Sequence, residues 1–173
     1  MQIIKDYTFY REIKHLFVKG KIDVDSDYFI KKIDQGVDSD NNRNYRTNVV
    51  AGMTDWKYFL GDQKFYETII PIINILDNKE SRSLDIKEAW GVRHRKFDRT
   101  KPHDHAPAYL SFVLYLNDHD QPLKFKDIDE TVDSSKGSFA IFSSNLTHYC
   151  ERNISGKPKY LLSWNAFIKP SFA

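Results

Sequence analysis

Tyr109-Leu110-Ser111-Phe112-Val113-Leu114-Tyr115-Leu116 decides the fold class. The stretch has no glycine, proline or charge. Its aromatic and β-branched side chains suit a pleated surface, so it predicts a buried strand. Downstream, Pro122–Ile128, Gly137–Phe142, Leu146–Cys150 and Lys159–Ile168 have the same character, and Ser155-Gly156-Lys157-Pro158 is a turn before the last of them. Upstream, Leu84, Ile86, Trp90 and Val92 alternate with polar or small residues, as in a half-buried strand. Before Asn78 the spacing becomes helical. Asp25 and Ser26 can cap a helix through Tyr28, Phe29, Ile30 and Ile33, with Gly36 ending it. Asp62 can cap a second helix carrying Phe65, Tyr66, Ile69, Ile70, Ile73 and Leu76, with a kink expected at Pro71. Helices in the first half and short strands in the second predict an α+β domain built on an antiparallel sandwich or barrel.

The 173 residues fit a single domain, with residues 1–80 mostly helical support or lid and residues 84–168 the core that carries the site. Twenty-six basic and twenty-four acidic residues are interspersed, giving a net charge of +2. No block of like charge marks a nucleic-acid footprint, so nucleic acid is not expected as a binding partner and stays open only as a substrate. The most basic stretch runs from Arg93 to Lys101, either a solvated strand edge or a lure for an anionic substrate. Arg43, Tyr45 and Arg46 fall in a polar stretch that could line an entrance. A lone cysteine, Cys150, forms no intrachain disulfide and fits a reducing, cytoplasmic setting. No apolar run approaches the roughly 18 residues of a membrane span, and the N-terminus lacks the apolar core of a secretory signal, so no membrane partner is expected. The oligomeric state is left open.

Six histidines are present, and the informative pair lies in Lys101-Pro102-His103-Asp104-His105. On an extended strand, residues two apart point to one face, so His103 and His105 can present imidazoles to one point while Asp104 faces away. A third ligand must come from elsewhere, and His148, on a short extended segment, is the natural candidate. Three imidazoles suit iron, zinc, copper or nickel and leave open positions on the ion. The competing interpretation is two surface histidines on a loop after Pro102.

The string Glu88-Ala89-Trp90-Gly91-Val92, then Phe97-Asp98-Arg99-Thr100, His103-Asp104-His105 and Leu110–Leu116 resembles a known pattern. So does the string Lys136-Gly137-Ser138-Phe139-Ala140-Ile141-Phe142-Ser143-Ser144, followed by Leu146-Thr147-His148 and Lys159-Tyr160-Leu161-Leu162-Ser163-Trp164-Asn165. The pattern is that of 2-oxoglutarate/Fe(II)-dependent oxygenases of the His-x-His…His type, common in marine bacteria and their phages. The resemblance covers about half the chain, from Leu84 to Phe167. It implies a double-stranded β-helix (jelly-roll) core with the N-terminal helices packed outside. It implies a dioxygenase that hydroxylates a small-molecule or peptide substrate, with Fe(II) on His103, His105 and His148. It further implies 2-oxoglutarate held at Lys159, with Tyr115, Ser111 and Asn165 lining its site.

Two departures stand out. The wider superfamily places a carboxylate where this chain has His105, and Asp104 could replace it only if the strand bulges. Lys159 occupies the place of an arginine and offers a point charge rather than a planar fork. His94 is a weak candidate for support of a ligand, and Arg152 a fallback anion anchor. The alternatives are a three-histidine, cupin-like metal dioxygenase without 2-oxoglutarate, and a non-enzymatic jelly-roll binding or structural module.

Overall fold

A computed structural model describes residues 14–39, 48–77 and 83–169. Arg43, Tyr45 and Arg46 lie outside the described residues. Eleven strands and two helices follow one another: β1 Phe17–Lys21, α1 Ser26–Ser39, β2 Val49–Val50, β3 Gly52–Met53, α2 Gln63–Asp77, β4 Leu84–His94, β5 Arg99–His103, β6 Leu110–Tyr115, β7 Leu123–Phe125, β8 Thr131–Val132, β9 Ser138–Ser143, β10 His148–Cys150 and β11 Lys159–Ile168. They form a six-stranded sheet in the order β1-β9-β6-β11-β4-β3 and a five-stranded sheet in the order β2-β5-β10-β7-β8. Every pairing is antiparallel. Three strands thus come from before residue 80, where mainly helix was expected. Two of them have only two residues each, too short for an alternating pattern to register.

The six-stranded sheet is buried on both faces. Leu110, Phe112, Leu114, Leu162 and Trp164 pack toward the helices with Phe29, Ile33, Phe65, Ile69 and Ile72. Trp164 stacks on Phe112 with centroids 4.9 Å apart. The opposite face carries Trp90, Val92, Val113, Tyr115, Phe142 and Leu161 against Val49, Leu123, Phe125 and Cys150 of the other sheet and its loops. Alternation along β6 and β11 therefore sends successive residues to different cores. Such a strand reads as a continuous apolar run, as Tyr109–Leu116 does.

Each helix starts at an acidic cap. The Asp25 carboxylate accepts the Tyr28 N–H at 3.2 Å, and that of Asp62 accepts the Phe65 N–H at 3.0 Å. Ser26, the other expected cap, lies inside the first turn with its hydroxyl unpartnered. Gly36 does not end α1. The helix continues to Ser39, and a Cβ at Gly36 would lie 2.8 Å from both Thr54 and Tyr58 side-chain atoms, so glycine is there for close packing. Helix α2 likewise runs through Pro71. Pro71 and Glu67 are both exposed, so the carbonyl deprived of its partner can turn to water. From β4, the buried Arg93 fastens α1 to the sheet through Asp34 at 2.6 Å and Asp38 at 2.8 Å. It is therefore a structural member of the basic stretch, whereas Arg95, Lys96, Arg99 and Lys101 are exposed. Among the described residues no helix is long and apolar enough to cross a membrane.

Candidate metal centre and anion site

His103 is the last residue of β5, His148 the first of β10, and the two are register partners across the five-stranded sheet. His105 lies just beyond the strand end, its N–H donating to the Ser144 carbonyl at 2.8 Å. Asp104 is exposed, and its carboxylate accepts the Ala106 N–H at 3.1 Å. The three imidazoles converge: ring centroids are 4.4 Å apart for His103–His148, 4.8 Å for His103–His105 and 5.0 Å for His105–His148. One ligand nitrogen from each lies within 4.8 Å of the others. A single point therefore lies within about 2.8 Å of all three (4.8 Å divided by √3), and a small closing of the rings reaches the roughly 2.1 Å of an imidazole–metal bond.

The donor chemistry fits a cation. Nδ1 of His103 is 2.8 Å from the Lys101 carbonyl and Nδ1 of His148 is 2.9 Å from the Leu146 carbonyl. A carbonyl only accepts, so both Nδ1 atoms carry the proton and both Nε2 atoms keep a lone pair. Burial lowers the pKa of His103, takes His105 down to about 2 and takes His148 down to about 4, with the neighbouring imidazoles adding to the effect at His105 and His148. All three are thus neutral ligands near pH 7. His105 is held least firmly. Asn165 Nδ2 stands 3.5 Å from its Nδ1, at the outer limit of a hydrogen bond.

Ser111 and Asn165 are on facing positions of β6 and β11, and the Ser111 hydroxyl donates to the Asn165 carbonyl oxygen at 2.8 Å. The Asn165 amide donates to Glu88 at 2.7 Å. This pair therefore stands behind His105. Trp90 is both core and wall: it is buried, meets the half-buried Trp56 edge-on at 4.6 Å, and its ring lies 5.8 Å from that of His105.

The same inter-sheet cleft, with about 450 Å³ of empty space including its mouth, is lined by the three histidines together with Tyr115, Cys150 and Ser163. Lys159 is buried behind Cys150 and Tyr115. Its ammonium donates to the Gln121 carbonyl at 3.1 Å, contacts Cys150 Sγ at 3.4 Å and lies 5.6 Å from the Tyr115 ring centre. Among the described residues no carboxylate pairs with it. The Tyr115 hydroxyl, equally buried, has no hydrogen-bond partner. Burial lowers the Lys159 pKa and raises that of Tyr115 well above its ordinary value.

His94 belongs to this region and not to the imidazole cluster. It is the register partner of Lys159, accepts from Thr100 at 3.3 Å through Nε2 and donates to the Gln121 side chain at 3.1 Å through Nδ1. Burial holds it neutral, with a pKa of about 3. Arg152 is exposed and takes no part. Gln121, a loop residue outside the quoted strings, carries no sequence signal, and Thr100 falls within the Phe97–Thr100 string without a role implied there.

No protein-family model matches the sequence, and no curated protein matches it. Solved structures do. The viral collagen prolyl hydroxylase of Paramecium bursaria Chlorella virus 1, in complex with 2-oxoglutarate, superposes with a TM-score of 0.67 at 13% identity over 87% of this chain and 94% of its own. A prolyl-4-hydroxylase of Pseudomonas putida gives 0.64 at 13% over 90% and 94%. HygX of Streptomyces hygroscopicus, solved with nickel and 2-oxoglutarate, gives 0.63 at 11% over 91% and 83%. The chain has the fold of these proteins.

Proposed function

We propose that this protein is a 2-oxoglutarate- and Fe(II)-dependent oxygenase, a single jelly-roll domain of the cytoplasm acting on a small-molecule or peptide substrate. The supporting observation is a cleft that holds three converging neutral imidazoles and is walled by Tyr115 and Cys150, with the buried Lys159 ammonium, unpaired with any carboxylate among the described residues, directly behind those two side chains. A buried charge is costly unless paired, so the Lys159 end of the cleft calls for an anion. Structures of the same fold suggest which anion: the viral hydroxylase and HygX were each solved with 2-oxoglutarate bound.

His103, His105 and His148 would hold the metal. Lys159 and Tyr115 would bind the far carboxylate of 2-oxoglutarate, the first by charge and the second by hydrogen bond. Ser111 and Asn165 would keep the His105 ring turned toward the metal. Iron, when bound, supplies the activation of dioxygen that couples oxidative decarboxylation of 2-oxoglutarate to oxidation of a C–H bond. Phe142 packs edge-on against His148 at 4.8 Å, and with Phe125 and Trp90 it excludes water from the imidazole cluster.

The all-histidine ligand set favours one second reading, a metal dioxygenase that needs no 2-oxoglutarate. Anaerobic titration separates them. The proposal expects one equivalent of Fe(II) or Co(II), abolished in His103→Ala, followed by saturable 2-oxoglutarate binding and succinate release on adding oxygen. Metal uptake without 2-oxoglutarate binding would favour the second reading.

A further inference from the structure

We infer that the Glu88 carboxylate is a substrate-recognition group, and that the substrate carries a protonated amine or guanidinium close to the carbon that reacts. This rests on the proposed oxygenase site and names the substrate class of that site.

Glu88 and Trp90 are two apart on β4 and so share the face that looks toward the other sheet. One Glu88 oxygen accepts the Asn165 amide at 2.7 Å, and that amide is 3.5 Å from His105 Nδ1. The carboxylate is therefore no more than 6.2 Å from the His105 ring nitrogen, the sum of those two distances. It is half-buried, and no Lys or Arg among the described residues pairs with it. A carboxylate has about four acceptor sites, and Asn165 fills one. Asn165 is in turn fixed by Ser111, so the acceptor is aimed rather than free to swing.

The ground beside it is aromatic. Trp90 and the half-buried Trp56 meet at 4.6 Å, and indole faces attract organic cations. A fixed carboxylate on the same strand face as the Trp90 indole, which itself meets Trp56, suits an ammonium or guanidinium and disfavours an anion. Asp104, which lies between His103 and His105 in sequence, is instead exposed and accepts from Ala106 in its own loop.

A purely structural Glu88 would only accept from Asn165, and glutamine has the same acceptor oxygen. Glu88→Gln therefore separates support from charge recognition. The protein contains three tryptophans. Their indole N–H signals report binding in Zn(II)-loaded protein saturated with 2-oxoglutarate, and Trp164, on the helix side, is an internal control. n-Butylammonium and n-butylguanidinium are the probes, with 1-pentanol as the neutral match.

The expected result is saturable shifts at Trp56 and Trp90 but not Trp164, and at least about five-fold weaker binding of the cations to Glu88→Gln, with Co(II) affinity unchanged. Equal response to pentanol, no shift at Trp56 and Trp90, or an unchanged response in Glu88→Gln would overturn the inference. Failure of Zn(II) or 2-oxoglutarate to bind in the same samples would instead strike the oxygenase proposal.

Discussion

Replacing Lys159 by methionine should weaken 2-oxoglutarate binding and stabilise the ligand-free protein together. Lys159 is fully buried, and its three N–H donors meet one carbonyl at 3.1 Å and one thiol sulfur at 3.4 Å. One donor and the net charge are left for a ligand. Removing one partner of a buried, hydrogen-bonded charge pair costs about 3–5 kcal/mol. That corresponds to a loss of about two to four orders of magnitude in affinity. Methionine keeps the length and removes the charge, so the free protein gains about 1 kcal/mol or more from shedding a desolvated cation.

Calorimetry on Mn(II)-loaded protein gives the affinity, and thermal unfolding gives the stability. At about 100 times Kd, 2-oxoglutarate adds about 2.7 kcal/mol, or about 5–10 °C in Tm for a chain of this size, and the variant should lose this shift. A Lys159→Met protein that binds 2-oxoglutarate within three-fold of the parent would refute the anion site. Because burial lowers the Lys159 pKa, affinity for a dianion should fall as rising pH removes the ammonium charge. Calorimetric titration across a pH series reads this fall.

His94, His105 and His148 have folded pKa values of about 3, 2 and 4, below the unfolded 6.5. The unfolded chain then binds more protons than the folded one below pH 6.5, so stability should fall as pH drops through that window, by about 1 kcal/mol per imidazole per pH unit. Denaturant titrations at pH 7.5 and 5.5 test the sign, and equal midpoints would contradict it. Co(II) affinity should fall less between pH 7.5 and 5.5 than it would for free imidazoles, because burial lowers the pKa of all three ligands. Gly91→Ala should destabilise by about 1–3 kcal/mol without altering metal stoichiometry, since a Cβ there would overlap the Ile33 side chain and come within 3.2 Å of Phe59. Asp62→Ala should cost about 1–3 kcal/mol in urea unfolding by removing the α2 cap and the acceptor for Tyr28 at 2.8 Å and Lys32 at 2.7 Å.

The β6, β9 and β11 strands were legible because both their faces are buried, which writes an uninterrupted apolar run into the chain. The edge strands β2, β3 and β8 were not, because a two-residue strand has no period. Helix starts were legible through Asp25 and Asp62, whereas the Gly36 end was misjudged because a glycine required by Thr54 and Tyr58 looks the same in sequence as one that stops a helix. His103 and His105 were singled out by spacing, although His105 sits past the strand end and reaches the cluster through its bond to Ser144. Ser111 and Asn165, which the resemblance implied to line the 2-oxoglutarate site, hydrogen-bond each other, and Asn165 lies beside His105. Glu88 reads in the sequence only as part of a strand string, without a role of its own, because the Asn165 that holds it is 77 residues away.

Lys159 and Asn165 belong to one strand, six positions apart, with no bulge between them. At about 3.3 Å per residue, β11 is a ruler some 20 Å long, graduated from the cation to the neighbour of His105. Lys159 is pinned by Gln121 and Cys150, so it cannot travel to meet a shorter diacid. If the proposed site holds a keto diacid, its length would be gauged by backbone pitch rather than by any one side chain. Deleting a single residue between Lys159 and Asn165 would turn one end of the scale to the opposite face from the other.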